Sequence, residues 1–71
     1  MRTRDILAAN MRRLRKAKGF SQEALAHEIG VDRSYISSLE RSVYSASLDM
    51  LDKIAAAFGT RAHALITEKR S

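Results

Sequence analysis

The sequence predicts a compact all-α domain of five helices, and three observations support this. Proline is absent, each of the three glycines (Gly19, Gly30 and Gly59) follows a stretch with helical spacing of apolar residues, and no segment alternates as a strand does. With 71 residues, 45% of them hydrophobic, the chain is long enough for one core and too short for two. We therefore expect a single domain over residues 1–71, with a core from about 4 to 66 and a frayed tail over 67–71.

The first two helices follow from apolar spacing and one capping residue. Leu7, Met11 and Leu14 recur at i, i+4 and i+7, which predicts an amphipathic helix from residue 3 or 4 to residue 18. Ser21 offers a hydroxyl N-cap for a second helix, which we expect to end at about residue 29.

A third helix is predicted over residues 33–41. Asp32 is a good N-cap, and only Ile36 and Leu39 within this segment are candidates for the core. Most of the third helix is therefore free to contact something other than its own domain.

Two further helices complete the prediction. Ser47 is expected to cap a fourth helix that ends at Gly59, and Thr60 to cap a short fifth helix. The predicted apolar residues are Leu48, Leu51, Ile54, Ala55 and Phe58 in the fourth helix, and Ala62, Leu65 and Ile66 in the fifth.

The charge of the chain indicates a polyanionic partner. The net charge is +5, and residues 1–18 hold seven basic residues against one acidic residue, whereas the rest holds six against seven. A cationic membrane-binding helix over residues 2–18 is disfavoured because Asp5, Ala8 and Asn10 dilute it. Without a cysteine, an apolar spanning segment or the apolar stretch of a secretory signal, we expect a cytoplasmic protein with no membrane partner.

Residues 22–41 have the pattern of two helices that cross at a close angle. Ala26 is a small residue for the crossing and Gly30 permits a tight turn. Residues 21–26 (SQEALA) and 35–41 (YISSLER) are typical of the XRE superfamily, which includes Cro and lambda repressor, and the chain resembles it from about residue 10 to 66. The resemblance implies a lambda-repressor-like DNA-binding fold with a helix-turn-helix formed by helices two and three.

Within that superfamily, residues 32–37 (DRSYIS) most resemble the small controller proteins of restriction–modification systems. The resemblance implies a transcription regulator that binds a pseudo-palindromic operator on double-stranded DNA as a homodimer, with helix three in the major groove. RNA polymerase is a further candidate partner. The alternative is an antitoxin-like or other helix-turn-helix module that binds a protein.

The open face of the third helix supplies the candidates for base recognition. Arg33 is the first choice, because its guanidinium can donate two hydrogen bonds to guanine, and Tyr35 can instead pack on helix two and use its hydroxyl at a phosphate. The full set of base-recognition candidates is Arg33, Ser34, Tyr35, Ser37 and Ser38. The candidates for the DNA backbone are Ser21, Gln22, Arg41, Tyr44, Ser45 and Ser47.

After helix three the superfamily usually has a glycine, followed by basic residues and a proline, and this chain departs from that pattern. Residues 42–46 read SVYSA, which weakens any inference about the loop, and Val43 is expected to pack rather than to contact DNA.

The resemblance also pairs Arg15 with Glu40 in a largely buried ion pair, the alternative being two separate surface charges. Candidates for a dimer interface are Met50, Phe58, His63, Leu65 and Ile66, although Phe58 in particular is an alternative core residue. His27 and His63 stand far apart without a metal-ligand or nucleophile–base pattern, so we expect no metal, no cofactor and no enzyme activity.

Overall fold

The computed structural model describes residues 2–69, which form five helices and no strand. The helices are α1 (Thr3–Lys18), α2 (Gln22–Ile29), α3 (Arg33–Glu40), α4 (Leu48–Phe58) and α5 (Ala62–Leu65). The predicted all-α fold is therefore confirmed, although α3 ends at Glu40, one residue earlier than expected, and Arg41 is its C-cap. Residues 70–71 of the predicted tail lie outside the described residues.

Three side-chain caps begin the helices that the sequence analysis assigned to them. The Ser21 hydroxyl accepts the Ala24 N–H at 2.9 Å, and the Ser47 hydroxyl accepts the Met50 N–H at 3.1 Å. The Asp32 carboxylate accepts the Ser34 N–H at 2.8 Å. Each cap provides a partner for a backbone donor that the first turn of a helix leaves without one.

One hydrophobic core joins all five helices. The rings of Phe20, which precedes α2, and Phe58 lie 6.2 Å apart at an angle of 51°. The core residues are Leu7, Met11, Leu25, Ala26, Ile36, Leu39, Leu51, Ile54, Ala55, Phe58 and Leu65.

Asn10 holds the end of α5 against α1. Its side chain is buried, and its amide donates to the carbonyl oxygens of Leu65 at 2.9 Å, Thr67 at 3.0 Å and Ala64 at 3.3 Å. Because carbonyl groups at a helix end lack partners within the helix, this one amide allows a four-residue helix to pack on the core. The contact ties Thr67, the first residue of the expected tail, to the domain.

Three expectations about the second half of the chain are wrong. Thr60 does not cap α5: its N–H donates to the Ala55 carbonyl at 2.9 Å, so it belongs to the end of α4, and Arg61 is the N-cap. Leu48 is 80% exposed because it begins α4, one turn before the stripe that meets the core. Val43 is 49% exposed and contacts the fold through its N–H, which donates to the Ser38 carbonyl at 2.9 Å.

Two residues expected at a dimer interface belong to the core of the single chain. Phe58 is 2% exposed and Leu65 is 0% exposed, because the last turn of α4 and the short α5 close over the core there. Of the other dimer candidates, Met50 is half-buried, and His63 and Ile66 are exposed.

Candidate nucleic-acid interface

The helix-turn-helix is formed by α2, a three-residue turn and α3. Gly30 ends α2 with φ +75°, a conformation that glycine adopts without the strain a Cβ would cause. The Val31 N–H then donates to the Ala26 carbonyl at 2.9 Å and reverses the chain. Leu25 and Ala26 of α2 are buried in one cluster with Ile36 of α3, and this packing fixes the angle between the two helices.

One face of α3 remains open to solvent. Arg33 and Ser34 are exposed, whereas Ser37 and Ser38 are half-buried. The opposite face carries Ile36 and Leu39, both with 0% exposure. The base-recognition candidates therefore lie on an accessible face of a rigidly packed helix, and none of them is buried within the chain.

The first turn of α3 contains a second contact beside its N-cap. The Ser34 hydroxyl donates to Oδ2 of Asp32, the same oxygen that accepts the Ser34 N–H. These two bonds lower the pKa of the Asp32 carboxyl below its ordinary value. Asp32 is therefore a carboxylate at neutral pH.

Tyr35 and Tyr44 form an aromatic pair that the sequence analysis missed. Their ring centroids lie 6.5 Å apart with an angle of 26° between the planes. Tyr35 is half-buried and packs against the core, while Tyr44 is 54% exposed. The two residues are nine positions apart across the end of α3, and no local pattern signals such a contact.

The candidates for the DNA backbone lie in two places. Ser21 is exposed and Gln22 is half-buried at the start of α2. The others, Arg41, Tyr44, Ser45 and Ser47, are exposed along the segment between α3 and α4. The first group lies at the start of the helix-turn-helix, and the second follows its end in sequence.

Arg15 and Glu40 are brought together as a salt bridge that links α1 to the end of α3. Arg15 donates from Nε to Glu40 Oε2 at 2.8 Å and from Nη2 to Oε1 at 3.0 Å. The Glu40 side chain is 3% exposed and that of Arg15 is 14% exposed. Hydrogen bonding to Glu40 raises the pKa of Arg15 above its ordinary value.

Two other side chains converge on Glu40. Gln22 donates from Nε2 to Glu40 Oε1 at 3.2 Å, and Arg12 donates from Nη1 to the Glu40 carbonyl oxygen. One Gln22 amide proton is thus used inside the protein, and Arg12 is committed to the end of α3. Sequence reasoning missed both contacts, because each joins residues at least 18 positions apart and neither was implied by the resemblance that pairs Arg15 with Glu40.

Other types of site have little support in the described residues. No group of three or more His, Cys, Asp or Glu residues within 2–69 could hold a metal ion. Over the same residues, no helix has the length and hydropathy needed to cross a bilayer.

Comparison with protein families gives one matching model, described as helix-turn-helix, over residues 11–65. A hypothetical transcription factor of Neisseria meningitidis is 46% identical over 63 residues, covering 89% of this chain and 59% of the relative. The control protein C.SmaI of Serratia marcescens is 38% identical over 69 residues, covering 97% of this chain and 82% of the relative. The Neisseria relative is described as a transcription factor and SinR of Bacillus licheniformis, at 35% identity, as a transcriptional regulator, which agrees with the expectation that the chain is a regulator and not an enzyme.

Two solved structures have the same fold. The restriction–modification controller protein C.AhdI of Aeromonas hydrophila superposes with a TM-score of 0.83 at 39% identity, over 87% of this chain and 94% of the other. SinR, described as the master regulator for biofilm formation and solved in complex with DNA, superposes with a TM-score of 0.81 at 34% identity, over 86% and 98% of the two chains.

Proposed function

Because this chain belongs to the helix-turn-helix family of DNA-binding transcription regulators, we propose that it recognises a specific operator by placing α3 in the major groove. It spans 59% of the length of its Neisseria relative, so the proposal concerns the DNA-binding activity of these 71 residues. SinR, at 34% identity, was solved with DNA, which supports duplex DNA as the partner.

The open face of α3 is the observation that carries this proposal. An α-helix with its side chains is about 10–12 Å in diameter, and the major groove is about 12 Å wide, so α3 can enter it with its open face toward the base edges. Arg33 is exposed in its first turn and has the donor geometry to bind guanine O6 and N7. Ser37 lies one turn further along the same helix.

The two flanking groups are proposed to bind phosphates on either side of the groove. Ser21 and Ser47 each use a hydroxyl lone pair for an N-cap, which leaves the hydroxyl proton free to donate to a phosphate oxygen. Gln22 uses one amide proton at Glu40 and retains the second. Arg41 supplies a charge, and its contact is expected to depend on salt.

A homodimer is proposed because a single short helix contacts few base pairs. Two copies of a domain measuring 29 × 23 × 20 Å can present their α3 helices about 34 Å apart, one turn of DNA. Leu48 is 80% exposed and Ile66 is 38% exposed, so apolar surface remains outside the core for such a contact. Met50 and His63 are the other candidates that the core leaves available.

Similarity to C.SmaI and C.AhdI supports the further proposal that the operator controls a restriction–modification system. In that case the bound dimer acts on transcription either by blocking the promoter or by contacting RNA polymerase. A reporter promoter placed beside the selected operator whose expression does not respond to the protein would count against this assignment. A change in reporter expression on adding the protein supports control of transcription by the operator, and the sign of the change separates repression from activation.

Selection of bound sequences from random DNA, followed by gel shift, tests the central proposal. A repeated half-site is expected, and Arg33→Ala should weaken binding by about 1–3 kcal/mol while relaxing preference at one base pair. Arg61→Ala is the matched control, because Arg61 is an exposed arginine at the start of α5. Equal losses for the two variants on every sequence, or no enriched sequence at all, would refute the proposal and favour a protein-binding module.

A further inference from the structure

The contact between Ser34 and Asp32 limits what Ser34 can recognise. A serine hydroxyl has one proton to donate and two lone pairs that accept. In this chain the hydroxyl lies within hydrogen-bond reach of Asp32 Oδ2, and an ionised carboxylate only accepts, so the serine must be the donor. Toward any ligand on the open face, Ser34 is left as an acceptor.

We propose that Ser34 is a specificity-determining residue that recognises adenine or cytosine by accepting a hydrogen bond from the exocyclic amino group. The inference rests on the proposed function and deepens it, because it names the chemical class of base at one operator position. Each base pair presents one amino group and one keto oxygen in the major groove, on opposite strands. A fixed acceptor over one strand therefore distinguishes adenine and cytosine from guanine and thymine.

The same reasoning separates Ser34 from the phosphate contacts. Phosphate oxygens only accept hydrogen bonds, and the single Ser34 donor is already used at Asp32. The negative charge of Asp32 also repels phosphate. Its other carboxylate oxygen, which does not bind Ser34, adds a further hydrogen-bond acceptor to this part of the surface. Loss of Ser34 is therefore expected to change sequence preference rather than to weaken binding uniformly.

Arg33 has the opposite polarity. A guanidinium carries only donors, so it pairs with guanine O6 and N7, whereas its neighbour Ser34 pairs with an amino group. Adjacent side chains of α3 thus place complementary demands on the half-site. The predicted half-site contains a guanine bound by Arg33 and, close to it, an adenine or cytosine bound by Ser34.

Deletion of a single amino group tests the inference directly. After selection of the operator, each adenine or cytosine of the half-site is replaced in turn by purine or 2-pyrimidinone, which lack that group. The intact protein is expected to lose about 3- to 10-fold in affinity at one position, the range of one neutral hydrogen bond. Ser34→Ala should bind the duplex with the deletion as tightly as the unmodified one. Because the intact protein and Ser34→Ala are measured on the same duplexes, any effect of the analogue on base pairing is common to both and cancels.

Release of the hydroxyl provides a second test. In Asp32→Ala the Ser34 proton becomes free to donate, so discrimination against guanine and thymine at that position should fall to less than about twofold. Asp49→Ala is the control, since it removes an exposed carboxylate from the first turn of α4 instead. If Asp32→Ala does not fold, as judged by circular dichroism, the comparison with Ser34→Ala still decides.

The outcomes separate the two proposals. No half-site enriched by the intact protein overturns the proposed function, and this inference with it. An enriched half-site at which no amino deletion weakens binding by the intact protein overturns the inference alone. The inference is also wrong if amino deletion has the same effect in Ser34→Ala as in the intact protein.

Discussion

Replacement of Glu40 by leucine is expected to destabilise the domain more than any surface change. The Glu40 carboxylate is buried and accepts two hydrogen bonds from Arg15 and one from Gln22. In Glu40→Leu the guanidinium of Arg15, whose side chain is only 14% exposed, keeps its charge and loses both of its hydrogen bonds to the Glu40 carboxylate. Removal of one member of a buried pair costs about 3–5 kcal/mol.

That cost is large for a chain of this size. At about 0.05–0.15 kcal/mol per residue, the 71 residues give a total free energy of unfolding of roughly 4–11 kcal/mol. Glu40→Leu should therefore shift the urea midpoint strongly, and at the lower end of this range it should leave the domain partly unfolded in water.

A double variant separates the cost of an isolated charge from the value of the pair. Arg15→Met combined with Glu40→Leu leaves neither charge buried, so we expect it to be at least about 2 kcal/mol more stable than Glu40→Leu alone. Urea unfolding followed by circular dichroism measures all the variants, with Glu28→Ala as an exposed acidic control that should change stability by less than about 0.5 kcal/mol. A cost below about 1 kcal/mol for Glu40→Leu, or a double variant as unstable as the sum of the single variants, would refute the reasoning.

Substitutions at three further positions test other features of the fold. Asn10→Ala removes the donor to three carbonyl oxygens at the end of α5 and should cost about 1–3 kcal/mol in urea unfolding. Ser42 has φ +61° and hydrogen-bonds Asp5 through its side chain, so Ser42→Gly, which relieves about 1 kcal/mol of strain, should melt at a higher temperature than Ser42→Ala, which loses the same hydrogen bond and keeps the strain. The pKa of Asp32 is lowered by its bonds from Ser34, so its stabilisation is present above the pKa of the unfolded chain and is lost as pH falls through the folded pKa. The difference in unfolding free energy between the native chain and Asp32→Asn should therefore be present at pH 7 and be lost in acid, once the folded-state carboxylate is protonated.

Sequence reasoning succeeded where the determining interaction lies within one turn of a helix. Ser21, Asp32 and Ser47 cap the helices assigned to them because an N-cap needs only a side-chain oxygen and an N–H two or three residues later. Gly30 ends α2 for an equally local reason, the positive φ of the turn. Such signals locate the helix-turn-helix and the face of α3 that the core leaves open.

Contacts between distant residues could not be predicted in this way. Leu48 continues an apolar spacing, yet it is exposed because no other element covers the start of α4. Asn10 interrupts an apolar face, yet it is buried because the carbonyl groups at the end of α5 meet it there. In both cases the packing of other helices, rather than the residue's own pattern, decides its environment.

The same limit applies to the candidate DNA-binding residues, and it changes their chemistry. A pattern identifies Gln22 and Ser34 as polar and accessible, but it does not indicate how many of their hydrogen-bonding groups are already used. Gln22 has given one amide proton to Glu40, and Ser34 has given its only proton to Asp32. Since base and phosphate recognition depend on the donors that remain, the internal bonds determine which partner each side chain can bind. We therefore propose Gln22 as a donor to phosphate and Ser34 as an acceptor for a base.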